Sequence, residues 1–418
     1  MDVIIPLQSS LVPTLPDMSH DGAEYELALS STQKSTVVAS GKNVQTKLQQ
    51  AMSHQPFSRN LPTISAFADE VEVMNSLQQP KKIVIIGSDR HSYPFLCKSE
   101  DDMRKDACAM RFSAMINHLL QANQQTRQRD LHIRTYAVVP LSEQCGVIEW
   151  VGSTTGIRQI LKNQYAERGI NIWEPLSEFQ APTEPHAEGN QSLVLSQQEC
   201  FTQEILPMFR PIFHEWFVEM FPSPERWLLS RTAFTRTAAV MSIVGFILGL
   251  GDRHFENIKL DDKSGEVVHI DFGFLFDVGK QLLEHPEQVP FRLTQNMVDA
   301  MGATGYEGTF RKTCEMTLRL LREHCDVLMS ALEPLVYEPS MDWPRFDEHS
   351  SQPSGSGSGP AHLPRRARHA LAIVRKKLQG TLNGEAQQSV EEQVDELIRE
   401  ATDPGRLVQM YIGWAPYL

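Results

Sequence analysis

Two short runs constrain this chain more than anything else in it: Gly251-Asp252-Arg253-His254-Phe255-Glu256-Asn257, then His269-Ile270-Asp271-Phe272-Gly273. The first follows Ala238–Leu250, which is apolar nearly all round and so predicts a buried helix. The second closes Glu266–Asp271, whose alternation predicts a short strand. Two carboxylates and an amide are therefore delivered by loops that leave buried elements. Taken singly, each has a plain reading: Asp252 as a helix-terminal turn, Asn257 as a loop cap, Asp271 as a strand-end turn. Both runs in this order are hard to obtain by chance.

Phosphoryl transfer needs a carboxylate near the attacking hydroxyl and oxygen ligands for magnesium on the nucleotide phosphates. In protein kinases an Asp and an Asn five positions later serve these ends, and the Asp of a following D-F-G holds metal. Asp252, Asn257 and Asp271 reproduce that spacing, although His254 follows the aspartate instead of preceding it. Upstream, Ile83–Ile86, the turn Gly87-Ser88-Asp89 and Tyr93–Cys97 read as strand, turn and strand, with Lys98 at the end. Met103, Ala107, Met110 and Ala114 then recur at helical spacing. Such a hairpin can cover phosphates, with Lys98 pairing them and an acid among Asp101, Asp102 and Asp106 holding the lysine. Taken alone, Lys98 would be a surface lysine; its place before the catalytic run reverses that reading. Gly146–Val151 is an extended segment that could offer backbone to adenine, with Trp150 on the ring; a core strand with a core Trp fits it equally.

The chain has 39 Lys+Arg against 52 Asp+Glu, which makes direct nucleic-acid binding unexpected. The longest uncharged run in its hydrophobic middle, Thr237–Gly251, falls short of the ~20 residues of a membrane span, and no basic stretch precedes Lys34 as a secretory signal would require. Six cysteines without a C-x-x-C pair suggest reduced thiols. Val3–Pro16 reads as an extended edge segment and 17–60 as a polar insertion. His132–Leu141 and Val147–Val151 read as two more strands. Phe310, Cys314, Leu318, Leu321, Cys325, Leu328 and Leu332 predict one long amphipathic helix. Residues 353–360 are Ser/Gly-rich, so 339–388 reads as a flexible linker whose basic stretch 365–377 is solvated. An amphipathic helix with apolar face Val390, Val394, Leu397, Ile398 and Ala401 follows.

Gly249–Asn257, His269–Gly273, Val289–Thr294 and the end Gln409–Leu418 resemble the phosphatidylinositol-kinase-related protein kinases, the last stretch being similar to that family's FATC segment. Ile4–Gln8, Leu131–Val138 and Pro211–Trp216 point to the checkpoint-kinase branch. The resemblance implies an α+β, two-lobed kinase fold: a β-rich N-lobe over 1–150, a mainly helical C-lobe over 151–338, and the FATC helical segment over 389–418. It implies ATP with Mg2+ or Mn2+ as cofactors. Asp252 and His254 would be catalytic, Asn257 and Asp271 metal-binding. Ser88, Lys98, Asp101, Asp106, Tyr136, Trp150 and Val151 would be ATP-binding. It further implies protein substrates carrying Ser/Thr-Gln, a regulatory subunit, checkpoint activators, a nuclear role in DNA-damage signalling, and no membrane partner. The tail is expected to brace the segment from Asp271 to Thr294, the activation segment. That segment, Asp271 set aside, holds three acids (Asp277, Glu284, Glu287) and two bases (Lys280, Arg292), a poor match for an anionic inositol headgroup. Arg90 stands where many relatives have glycine, which predicts a phosphate turn less open to close approach. These kinases normally follow a long helical scaffold, whereas this chain begins almost at the catalytic unit, so a fragment is expected.

Overall fold

The structure, a computed structural model, describes residues 3–12, 61–75, 78–173, 198–336, 365–382, 384 and 386–418. The expected insertion 17–60 and the Ser/Gly run 353–360 lie outside the described residues. Two compact units are present: 1–103 with 113–130 and 135–150, and 104–112 with 131–134 and 151–418.

The first unit is built on an antiparallel sheet. Its strands are β1 (Ile64–Phe67), β2 (Glu72–Val73), β3 (Lys81–Gly87), β4 (Ser92–Ser99), β5 (Val138–Pro140) and β6 (Cys145–Glu149), in the order β1-β3-β4-β6-β5, with β2 also on β3. The β-branched run Ile83–Ile86 favours extended backbone. It pairs with β4 from Lys81↔Cys97 to Ile86↔Ser92, so the phosphate-turn candidate is a hairpin tip as expected. Ile5, Ile85 and Phe95 form the core beneath it, joined by Ile83, Tyr93 and Val147. Only Val138–Pro140 of the expected strand 132–141 joins the ladder. His132 and Arg134 instead send their side chains to Glu266, at 3.1 and 3.2 Å, within the second unit. Ile4 bridges Thr63 as an extended edge residue would, but Gln8–Leu11 then closes a helical turn.

The second unit is mainly helical. Helix α1 (Arg104–Ala122) begins in this unit's residues 104–112. Helix α2 (Pro224–Leu248) runs 25 residues, and Gly249 ends it in the left-handed conformation (φ 59°) that glycine adopts without Cβ clash. It is long and apolar enough to cross a membrane by length and composition, yet 78% of its most apolar window is buried inside the fold. Strands β7 (Thr154–Gly156), β8 (Ile258–Asp261) and β9 (Val267–His269) make a small antiparallel sheet that carries the two catalytic runs on its ends.

The expected single helix over 310–332 is two, α3 (Thr309–Glu323) and α4 (Cys325–Val336), interrupted at His324 (φ −105°, ψ 24°). The apolar spacing runs on across the break, which is why periodicity alone could not show it. A larger correction concerns the expected linker 339–388. Residues 365–379 fold into helix α5 (Arg365–Gln379) and bury Ala367, Ala370, Val374 and Leu378, spaced as one helical face. Its basic stretch is not uniformly solvated either, since Lys377 is 3% exposed. Helix α6 (Val390–Thr402) starts with a capping box between Ser389 and Glu392 and buries Val394, Leu397, Ile398 and Ala401, as its pattern predicted.

Candidate active site

Among the expected nucleotide residues of the first unit, Lys98 Nζ pairs with Asp101 Oδ2 at 2.9 Å. The partner acid sits in the loop just before α1, not on the helix. At the hairpin tip Ser88 and Thr63 exchange two bonds: Ser88 N–H donates to Thr63 O (2.8 Å), and Thr63 N–H donates to Ser88 Oγ (3.1 Å). Asp89 holds the turn from inside, accepting from His91 N–H (3.0 Å) and Tyr93 O–H. Arg90 lies at φ 65°, so the turn keeps the left-handed geometry that glycine favours while carrying a bulky side chain. Tyr136 is buried at 3% exposure. Trp150 donates its backbone N–H to Pro94 O (3.1 Å) and carries Lys82 Nζ 4.8 Å above its ring. Val151 belongs to the second unit, where its carbonyl accepts from Thr154 Oγ1 (3.0 Å).

The second unit brings Asp252, His254 and Asn257 into contact. Asn257 Nδ2 donates to Asp252 O (2.9 Å) and Oδ2 (3.3 Å), which leaves its Oδ1 as an oxygen donor. His254 Nε2 lies 3.7 Å from Asp252 Oδ1. Burial holds the His254 pKa below the ordinary histidine value, against the pull of the Asp252 carboxylate, so the ring is neutral at neutral pH. Its Nδ1 accepts the Glu256 N–H (3.2 Å), which places the proton of the neutral ring on Nε2, the atom facing Asp252. Asp252 (φ 59°) and Asp271 (φ 62°) both occupy the left-handed region, uncommon for non-glycine residues and concentrated at functional sites. Asp106 has a different partner from Asp101: buried at 7% exposure, it accepts the Phe272 N–H at 3.0 Å and so anchors the D-F-G turn.

Several residues that the spacing did not single out hold these loops in shape. Arg253, 5% exposed, donates to the carbonyls of Gly251 (2.9 Å), Ile270 (2.9 Å) and Asp271, tying the catalytic loop to the D-F-G. Glu287 accepts the Arg253 N–H at 2.5 Å. Arg292, 3% exposed, donates to Trp414 O (3.0 Å) and Ala415 O (3.3 Å) and lies 4.7 Å from the Phe255 ring. Gln295 reaches Tyr417 O (2.6 Å), while Tyr417 O–H donates to Ile172 O (2.6 Å). The last residues, Ala415, Tyr417 and Leu418, are fully buried, Ala415 held by Arg292 of the activation segment and Tyr417 by Gln295 just beyond it. Lys377 donates to Phe246 O (2.8 Å) at the end of α2 and to Asp277 Oδ2 (2.6 Å) in the activation segment. Burial alone would raise the Asp277 carboxyl, but Lys377 and Lys280 outweigh it and hold it below its ordinary value. Most of these partners are distant in sequence, and a side-chain bond to a distant carbonyl leaves no periodic trace.

This arrangement is that of a kinase catalytic domain, and the chain belongs to the phosphatidylinositol 3- and 4-kinase family, whose sequence pattern matches residues 92–345. The FATC domain pattern matches residues 387–418, which places α5 between the two matched segments. The chain is similar to protein kinase rad3 of Schizosaccharomyces pombe, 48% identical over 366 residues, or 87% of this chain and 15% of that one. It is likewise similar to serine/threonine-protein kinase ATR of Arabidopsis thaliana, 43% identical over 420 residues, or 100% of this chain and 14% of that one. Among solved structures it resembles CtTel1 in its open conformation (TM-score 0.71, 32% identity, 98% of this chain and 14% of that one). The FAT and kinase domain of CtTel1 gives a TM-score of 0.70 at 32% identity, over 98% of this chain and 27% of that one. The chain thus spans about one-seventh of the length of the first two relatives.

Proposed function

We propose that this chain is the catalytic region of a serine/threonine protein kinase that moves the γ-phosphoryl group of ATP onto a Ser or Thr hydroxyl, with Gln next in the substrate. One observation carries the reading: Asp252, the Nε2 of a neutral His254 and the amide of Asn257 are held together in one loop, which Arg253 ties to the D-F-G. In-line transfer forms a bond from the acceptor oxygen to phosphorus as the bond to the ADP oxygen breaks. Asp252 orients the hydroxyl and takes its proton. His254 offers its Nε2–H to the transferring group, and Lys98, steadied by Asp101, neutralises phosphate charge. Ser88 supports the phosphate turn, and Tyr136, Trp150 and Val151 serve the adenine.

The donor set fits a hard divalent cation: Asn257 Oδ1 is left by its own amide geometry, and Asp271 supplies a carboxylate. Magnesium, with manganese as the alternative, would be held there, neutralising charge between the phosphates. Protein acceptors are favoured over inositol lipid because both bases of the activation segment are already engaged: Lys280 with Asp277 at 2.9 Å, and Arg292 with the C-terminal carbonyls. The names of the relatives, a protein kinase and a serine/threonine-protein kinase, support protein acceptors. The same proposal assigns the chain a nuclear role in DNA-damage checkpoint signalling, with an ATR-interacting type of regulatory subunit and checkpoint activators as partners.

The test is a labelled-ATP assay offering a Ser-Gln peptide and phosphatidylinositol vesicles side by side, with nucleotide calorimetry on the same preparation. Peptide phosphorylation is expected. Asp252→Ala should lower it by about three orders of magnitude or more, with ATP affinity changed by less than about threefold. Lipid phosphorylation alone would instead favour a lipid kinase, and binding without transfer to either acceptor a silent regulatory fragment. Normal turnover in Asp252→Ala would remove that residue from the mechanism.

A further inference from the structure

Asp252 is left-handed, and the backbone N–H that follows it, on Arg253, is a donor on which an anion can be seated. Here the seat is filled from within the chain. Glu287 Oε1 accepts the Arg253 N–H at 2.5 Å. Its Oε2 lies 3.5 Å from where a Cβ on Gly251 would sit, so the group spans the loop from Gly251 to Arg253. The Arg253 guanidinium is directed elsewhere, to the carbonyls of Gly251, Ile270 and Asp271. Glu287 therefore does more than balance a nearby charge.

We propose that Glu287 is a positioning residue for phosphoryl transfer: carried by the activation segment, its carboxylate seats the Arg253 amide beside Gly251 and holds the preceding Asp252 in its left-handed conformation. The inference rests on the kinase reading above. Left-handed backbone at a non-glycine residue is costly, so the loop needs a partner that rewards that shape over its relaxed alternatives. The carboxylate that receives the Arg253 N–H supplies it through a charge-assisted hydrogen bond. Burial holds the Glu287 carboxyl above its ordinary value, with the amide bond offsetting part of that rise. The same bond makes the activation segment a condition for the aspartate's geometry, because Glu287 cannot stay seated if that segment shifts.

The experiment compares the full 418-residue chain with Glu287→Gln and Glu287→Leu, reading amide hydrogen exchange over residues 250–258 and steady-state turnover of the Ser-Gln peptide. In Glu287→Leu the Arg253 amide should exchange about tenfold faster or more. Turnover (kcat) should fall about 10- to 1,000-fold, with KM for ATP and peptide within about twofold, since misplacement of one group slows the step without loosening substrates. Glu287→Gln keeps one oxygen acceptor and should lie between wild type and Leu on both readouts; it decides the question alone if the Leu chain does not fold. Unchanged exchange in Glu287→Gln and in any folded Glu287→Leu would overturn the clamp. Faster exchange with unaltered kcat would overturn its part in transfer. A wild-type chain with no transfer would count against the kinase reading, leaving the exchange comparison to decide the clamp.

Discussion

The β3–β4 hairpin and the catalytic loop invite comparison, because both must hold a strained turn and they do it by opposite means. The hairpin tip is secured by Asp89 and His91, both exposed, and the partly buried Tyr93, all within a few residues, plus the exchange between Ser88 and Thr63. The catalytic loop is secured from across the second unit: Glu287 on the Arg253 amide, Arg253 on the D-F-G carbonyls, Arg292 reaching from the activation segment to the chain's last residues. A local turn tolerates change because water can replace what is lost. A buried turn with remote partners does not, since each removed partner strands a polar group.

Four substitutions would sharpen or break that contrast. The largest effect is expected from Arg292→Met, which leaves the Trp414 and Ala415 carbonyls buried without their donor, about 1–3 kcal/mol each, and frees the tail. Thermal unfolding should show that loss and the peptide assay a fall of at least about tenfold; a stable, active variant would show that the tail is not a brace. Lys377→Met comes next, at about 2–4 kcal/mol, because it leaves the mostly buried Asp277 with Lys280 alone. This loss has a pH signature. Asp277 is held below its ordinary 3.8, so the pair's contribution is complete above that value and declines as pH falls through the lower folded one. Denaturation curves of wild type and Lys377→Met should therefore converge in acid, and curves that stay parallel would exclude the pair as the cause.

At the hairpin, Asp89→Ala should cost little stability, given its exposure, while raising KM for ATP through a looser tip. A loss as large as that of Arg292→Met would erase the contrast between the two turns. The smallest effect belongs to Arg90→Gly. Relief of the left-handed strain and the added freedom of the unfolded chain each amount to about 1 kcal/mol and oppose one another, so the melting temperature should hardly move. A marked gain in ATP affinity would show that the arginine obstructs close approach to phosphate.

How much of this was legible in the chain depends on the range of the interaction concerned. The hairpin, helix α1, the buried helix before Gly249 and the apolar face of α6 followed from period and turn chemistry within short windows. The helix break at His324 and the folding of 365–379 did not, because an apolar stripe continues through a bend and a basic, Ser/Gly-flanked stretch reads as solvated unless its neighbours are known. Asp252, Asp271 and Asn257, the residues proposed for the chemistry, stood out by their order. Their supports, Arg253, Glu287, Arg292 and Lys377, each looked like an ordinary surface charge.

By itself the sequence determined which groups can do chemistry and which segments must be strands or helices, since spacing and side-chain type fix local backbone preference and donor inventory. Only the tertiary structure decided what those groups are bonded to. Lys98 meets Asp101 while Asp106 anchors Phe272, and a lysine from a supposed linker ends on the activation segment. The reason is physical: a buried charge must find a partner, and that partner is chosen by how the chain packs, over separations of a hundred residues or more, where no local pattern records the choice.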